Sequence, residues 1–363
     1  MTEPTPDVRR LLWASLADQR PGRELTWLSL MPATRVTAIG APGPEAHVDW
    51  IRSSYRRPIR RFVEAGALAW LRSLDDVEPD YDWVASLELC SLVSGQAGRW
   101  ARRHRVRQAV VTWENLVNQP LYRLPPYREA FRRSLEADLF ICCVESARNH
   151  LLEHGVDDAR IRVVLPGVDT GVFAPAATPV DRPVAIFVSP LAANKGIDTV
   201  LDAFRLVRLA EPEAELLVMG SGPLEGLVRR RAAEPSSGLH YLGTGAAMDV
   251  ARALHRAAVF VTAPRATWKW NEQFGLAYVE AMSSGLPVVT TVCGTNDEAV
   301  QPPNLRTSNS ADALAEGLLT FLADPALGRR VGEHNRAHVL ARHDLTIQTG
   351  RIDAAFTSVE RLA

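Results

Sequence analysis

VAIFVSPLAANKGIDTVLDAFRLVRLAEPEAELLVMGSGP, residues 184–223, is the stretch on which the fold turns. It opens with an unbroken apolar run, VAIFVSP, which is too short for a core helix and ends at Pro190. Such a run reads as a strand buried on both faces. GIDTVLDAFRLVRLA then carries apolar residues at helical spacing. AELLVMGSGP returns to a strand and opens into a glycine turn. A strand, a crossing helix and a second strand of these lengths form a parallel βαβ unit.

The same alternation runs outward in both directions. Downstream, the strands LHYLGTG, AVFVTAP and LPVVTTVCG alternate with the helices MDVARALHRA and GLAYVEAMSSG, and two helices close the chain. Upstream, RRLLWASLA, TRVTAIGAP, YDWVASLE, RQAVVTWEN and DLFICCVES read as strands. RELTWLSL, LVSGQAGRWARRH and PPYREAFRRSLEA read as helices between them, and YRRPIRRFVEAGALAWLRSL as an arginine-rich amphipathic helix. The Pro- and Ala-rich segment APAATPVDRP, residues 174–183, has linker composition. The expected fold class is α/β, with two Rossmann-like doubly wound domains over residues 1–176 and 177–345. Residues 346–363 are expected to form a helix packing back toward the first domain. Two such domains would face each other across a cleft at the carboxyl ends of their sheets, where open α/β sheets bind ligands.

Composition narrows the function classes. The 363 residues carry a net charge of −1, so no global field draws the chain to nucleic acid or anionic lipid. No apolar run approaches the ~20 residues of a membrane span. MTEPTPDVRR has no apolar signal core, so the expected location is the cytoplasm. The four cysteines fit no zinc or redox spacing. Of 41 basic residues only Lys195 and Lys269 are lysine, a bias expected of an arginine-favouring bacterial genome. A lysine kept on that background suits a role for a compact ammonium.

The densest chemistry lies in NEQFGLAYVEAMSSGLPVVTT, residues 271–291. Gly275 permits a tight turn into a helix, whose first N–H groups and positive dipole end suit a diphosphate. Glu280 lies about one and a half turns inside that helix, in reach of ribose hydroxyls, and Glu272 lies before the turn. On spacing alone, two solvated acids on a surface helix fit equally well. Four segments then occur in order: VVLPGVDTGVFAP, LAANKGIDTVLDAF, LVMGSGPLEGLV and the Glu-x7-Glu segment. This order resembles the family-4 retaining glycosyltransferases of the GT-B fold, well over residues 144–294 and loosely before them.

The resemblance implies that Lys195 binds a donor diphosphate, Glu272 the transferred sugar, and Glu280 the ribose. Phe274, Gly275 and Leu276 would present backbone to sugar and phosphate, with Gly220, Ser221 and Gly222 near the nucleotide. It further implies a UDP- or GDP-type sugar donor, retention of configuration, an acceptor hydroxyl on a small molecule, glycan or lipid, and neither metal nor cofactor. Two departures stand out. The family's arginine five residues before the lysine is Pro190 here, which makes Arg265 and Lys269 candidates to replace it. The family's histidine after the strand AVVT is Glu114 here, a candidate for sugar or acceptor contact or for a base, with Trp113 as a stacking surface. Gly22 is a weak acceptor-side candidate. Trp268 and Trp270, flanking Lys269, form either an aromatic platform or a packed lid. The helix near residues 56–71 either rests on an anionic membrane or packs on its own sheet. A sugar-nucleotide epimerase or hydrolase, and a lapsed binding subunit, are the alternatives to a transferase.

Overall fold

The computed structural model describes residues 8–15, 23–40, 48–52, 55–56, 70–114, 123–178, 180–267 and 270–361. The chain divides into two compact units. One is Met1–Gly167 with Thr346–Ala363, and the other is Val168–Leu345.

Among its described residues, the first unit is built on a seven-stranded parallel sheet in the order β3-β2-β1-β6-β7-β8-β9. The strands are β1 (Arg9–Ala14), β2 (Thr34–Gly40), β3 (Val48–Arg52), β6 (Trp83–Leu87), β7 (Arg107–Thr112), β8 (Leu139–Cys142) and β9 (Ile161–Val163). Helices α1 (Arg23–Ser29), α2 (Leu92–His104), α3 (Tyr127–Ser134) and α4 (Glu145–Glu153) connect them. Leu11, Leu12, Val84, Val110, Phe140 and Ile141 are fully buried, as strands covered on both faces require. The short β4 (Tyr55–Arg56) and β5 (Trp70–Leu71) pair antiparallel. Strands therefore stand at both ends of the expected amphipathic helix. Residues 57–69, which carry most of that expectation, lie outside the described residues. The strand β3 has no counterpart in the sequence reading.

The second unit holds a six-stranded parallel sheet in the order β12-β11-β10-β13-β14-β15. The strands are β10 (Val184–Val188), β11 (Glu215–Met219), β12 (Leu239–Gly243), β13 (Val259–Val261), β14 (Val288–Thr291) and β15 (Leu305–Thr307). The helices are α5 (Ile197–Ala210), α6 (Glu225–Ala232), α7 (Ala247–Leu254), α8 (Leu276–Ser283), α9 (Ala311–Leu322) and α10 (Pro325–Arg342). Helix α5 buries Ile197, Val200, Leu201, Phe204 and Val207 along one face against this sheet. The starts of the last two helices are fixed locally: Ser310 accepts from the Ala313 N–H, and Asp324, before Pro325, accepts from the Leu327 N–H.

The boundary between the units falls at 167/168 rather than at 176/177. Val168 forms a parallel bridge with Asp344, and its N–H donates to the His343 carbonyl at 2.8 Å. Thr170 donates to Asp344 at 2.5 Å, and Arg336 donates to the carbonyls of Thr170 and Phe173. These bonds hold residues 168–173 in the second unit.

Helix α11 (Leu345–Glu360) joins the first unit. The buried Arg9 guanidinium on β1 donates two bonds to Glu360, at 2.7 and 3.0 Å, and one to Asp353 at 2.5 Å. The Trp83 indole N–H donates to Glu360 at 2.8 Å, and Phe356 meets the Trp83 ring edge-on at 4.8 Å. Burial opposes the Arg9 charge, but the two carboxylates outweigh it and raise its pKa. The bond from Arg9 in turn lowers that of Glu360. Among the described residues, no helix is long and apolar enough to cross a membrane.

Candidate functional site

The strand order of the second unit reverses between β10 and β13. Open α/β sheets form their ligand crevice at such a point, beyond the carboxyl ends of the strands. The loop after β10 makes a single 3-10 turn over Ala193–Lys195 and ends at Gly196, whose φ of +68° lies in the left-handed region. A Cβ on Gly196 would collide with the Ala263 carbonyl oxygen, so this loop lies flush against the loop after β13. That contact carries Lys195 to Glu272, with Nζ–Oε2 at 2.7 Å. Only 21% of the lysine side chain and 10% of the glutamate are exposed. The ammonium also lies 4.4 Å from the centre of the Trp270 ring, within range of a cation–π attraction.

Glu272 is itself pinned. Its carbonyl accepts from the Thr295 N–H at 3.1 Å, and the Thr295 hydroxyl donates to the Gln273 carbonyl at 2.7 Å. Phe274 is buried, its ring 5.6 Å from that of His343. Gly275, with φ +85°, then starts α8, and a side chain there would strike the Tyr278 ring. Tyr278 is held by Thr262 at 3.1 Å and Thr290 at 3.0 Å, with burial pushing its pKa up. Glu280 is buried in α8. The glycine turn after β11 rests on the loop after β10: the Leu191 N–H donates to the Ser221 carbonyl, and the Leu224 N–H donates to the Leu191 carbonyl, both at 2.9 Å. The Tyr241 hydroxyl donates to the Gly220 carbonyl at 2.9 Å.

Arg265 has protein partners that its place in the sequence does not announce. Its guanidinium donates to the Ala193 carbonyl at 2.6 and 3.0 Å and to both Asp198 oxygens at 2.8 Å. It clamps the turn that carries Lys195. Lys269 and Trp268 lie outside the described residues, as does Gly22. Thr267 and Trp270 pair with each other across residues 268–269.

In the first unit the order reverses between β1 and β6. Just past β6, Glu88 adopts a left-handed φ of +66°. Its N–H donates to the Val111 carbonyl at 2.8 Å, and its carboxyl group accepts from the Thr112 hydroxyl at 2.9 Å and the Trp113 N–H at 3.2 Å. The Glu114 N–H donates to the Thr112 hydroxyl at 3.1 Å. The Trp113 indole donates to Glu24 on α1 at 2.8 Å, and its ring lies 6.0 Å from that of Trp27. Glu24 and Glu114 are both 9% exposed. Burial first, then the neighbouring Glu114, pushes the Glu88 carboxyl up to about 8. Burial, Glu114 and Glu88 together push the Cys90 thiol up to about 12.

Comparison with known proteins fits this geometry. A family model described as Glycosyl transferases group 1 matches residues 172–338, and one described as Glycosyltransferase Family 4 matches residues 25–172. The chain belongs to the family-4 glycosyltransferases.

Among relatives of this family is a GDP-mannose-dependent monoacylated alpha-(1-6)-phosphatidylinositol monomannoside mannosyltransferase of Corynebacterium glutamicum. It is 32% identical over 212 residues, covering 54% of this chain and 55% of that protein. A D-inositol 3-phosphate glycosyltransferase of Mycobacterium tuberculosis is 34% identical over 196 residues, covering 49% of this chain and 39% of that protein. The matched region thus spans about half or less of these relatives' length. The Anabaena protein HepE, solved with UDP, superposes with a TM-score of 0.75 at 17% identity, over 96% of this chain and 100% of that one. Sucrose-phosphate synthase from Thermosynechococcus elongatus gives 0.72 at 20% identity, over 98% and 100%. The fold is GT-B, with two Rossmann-like units.

Of the residues singled out by the family-4 pattern, Lys195 and Glu272 meet directly, and Gly275, Leu276 and Glu280 share the start and body of α8. Gly220, Ser221 and Gly222 lie at the neighbouring strand end. Trp270 was weighed in the sequence as half of a pair with Trp268, and its contact with Lys195 was not foreseen. Glu24 and Glu88 were missed. Glu24 looks like any first-turn acid of a helix, and Glu88 ends a strand-like run with nothing in its spacing to mark it.

Proposed function

We propose that this protein is a retaining glycosyltransferase, moving a sugar from a UDP- or GDP-type donor to an acceptor hydroxyl without a metal. The observation that carries the reading is the Lys195–Glu272 pair, desolvated at the strand-order reversal beside the start of α8. As the bond between sugar and diphosphate breaks, negative charge grows on the leaving group. Lys195, already oriented by Glu272 and the Trp270 face, stabilises that charge together with the N–H groups at the start of α8. Glu272 accepts from a hydroxyl of the transferred sugar, and Glu280 from the ribose. Gly220, Ser221 and Gly222 bring backbone close to the nucleotide. The departing phosphate takes the acceptor proton, so no protein base is needed. Trp113 and Glu114 belong to the acceptor side, and the reaction is assigned to the cytoplasm. The names of the relatives support a GDP-sugar, and the UDP complex of HepE supports a UDP-sugar.

Titrating wild type and Lys195→Ala with UDP, GDP, ADP and dTDP while following thermal unfolding tests the reading. A nucleotide at ~100 times its dissociation constant adds about 2.7 kcal/mol to the stability of the state that binds it. The expected result is stabilisation of wild type by one nucleotide and none of the variant. Stabilisation by no nucleotide would move the assignment to a lapsed binding subunit. Breakdown of the matching sugar nucleotide with no acceptor present would move it to a hydrolase or epimerase.

A further inference from the structure

We infer that Glu88 is a positioning residue for the acceptor side of the reaction: its carboxyl group ties the ends of β6 and β7 together and thereby holds Trp113 and Glu114 in one arrangement. This rests on the transferase reading, in which those two residues face the acceptor. The geometry is specific. One carboxyl group accepts from the Thr112 hydroxyl and from the Trp113 N–H, while the Glu88 N–H closes the loop onto the Val111 carbonyl. Thr112 relays the contact, since its hydroxyl also accepts from the Glu114 N–H. A glutamate held at φ +66° adopts a conformation that costs a non-glycine residue free energy, and such strain persists only where neighbouring bonds fix it.

The charge around Glu88 gives this tie a pH response. The groups facing it are Glu114 past β7, Glu24 on α1, and the thiols of Cys90, Cys142 and Cys143. With its proton on, Glu88 accepts both bonds without repelling Glu114. With the proton off, two carboxylates repel at the turn that carries Trp113. The Glu88 carboxyl is raised, so the folded state binds its proton more tightly than the unfolded chain. The stability it contributes is complete below the ordinary carboxylate range and is lost as pH rises through about 8.

The test needs no acceptor. In full-length protein labelled with 15N-tryptophan, the backbone and indole N–H signals of Trp113, assigned with Trp113→Phe, are followed from pH 6 to 9.5. In wild type both signals move together, with a midpoint near pH 8. In Glu88→Gln, whose amide oxygen in the Oε2 place still accepts from Thr112 at 2.9 Å and from Trp113 at 3.4 Å but which cannot ionise, both signals stay near their wild-type low-pH positions throughout. In Glu88→Ala both are displaced at every pH. Flat wild-type signals, an indole signal that does not follow the backbone, or a Glu88→Gln protein displaced like Glu88→Ala would each overturn the proposal. The nucleotide titration run on the same samples separates the two failures. Nucleotide stabilisation with flat Trp113 signals removes the positioning role alone. Titrating signals without nucleotide stabilisation remove the transferase reading and leave Glu88 a holder of this turn.

Discussion

The two sheets reverse their strand order in the same way, yet the reversals carry opposite chemistry. In the second unit a lysine, a carboxylate, an aromatic face and a helix start converge. In the first unit three carboxyl groups and two tryptophans converge. On the proposed reading, the reversal in the second unit meets growing negative charge on the donor, and the one in the first unit lies on the acceptor side. The topology supplies the location in both, and the side chains alone decide what each location does.

The sharpest way to break this contrast is Lys195→Ala. Removing this cation should lower sugar transfer by ~10²–10³-fold, as loss of a single preorganised donor does, while Glu114→Gln leaves nucleotide binding intact. Equal loss of nucleotide stabilisation in both variants would erase the distinction. Next is Gly196→Ala, which forces a Cβ against the Ala263 carbonyl in a left-handed conformation. Calorimetry should show destabilisation of about 3 kcal/mol, and an unchanged melting profile would mean that the two loops do not need to touch. Arg265→Ala should cost about 2 kcal/mol of stability, because charge-assisted bonds to Ala193 and Asp198 are lost. Its nucleotide affinity should fall less than that of Lys195→Ala. A drop as large would return Arg265 to the phosphate-binding role. Smallest is Glu24→Gln, which keeps an acceptor for the Trp113 indole. It should shift stability by less than ~1 kcal/mol. A larger loss would show that the charge of Glu24, not its hydrogen bond, organises the first unit.

The sequence was legible wherever chemistry and backbone coincide. Gly275 has to be glycine because the turn into α8 leaves no room for a side chain, and the two candidate glutamates stand at fixed distances from it, Glu272 before the turn and Glu280 inside the helix. The motif therefore announces both helix and site. Lys195 was legible for the same reason, standing one residue before Gly196. Glu88 and Glu24 come from a strand end and a helix that meet Trp113 only in the folded sheet, so nothing in their linear spacing reveals them. Arg265 shows the converse. Nearness in sequence to Glu272 makes it a ligand candidate, and the fold adds a partner that spacing does not announce, Asp198, far away in sequence. The domain boundary moved because linker composition marks where a chain can bend, whereas the bond from Val168 to His343 marks where it belongs.

The return of α11 to β1 has a consequence for biosynthesis. Arg9 is translated 351 positions ahead of its partner Glu360. The second unit is one continuous segment and can complete its sheet while the last helix is still being translated. The first unit, begun earlier, must wait with Trp83 uncovered and a buried guanidinium without its carboxylates until translation reaches α11. Loss of this helix would therefore damage the unit begun first, and chaperones guarding nascent chains should engage the face of β1 and β6 around Arg9 and Trp83 longest.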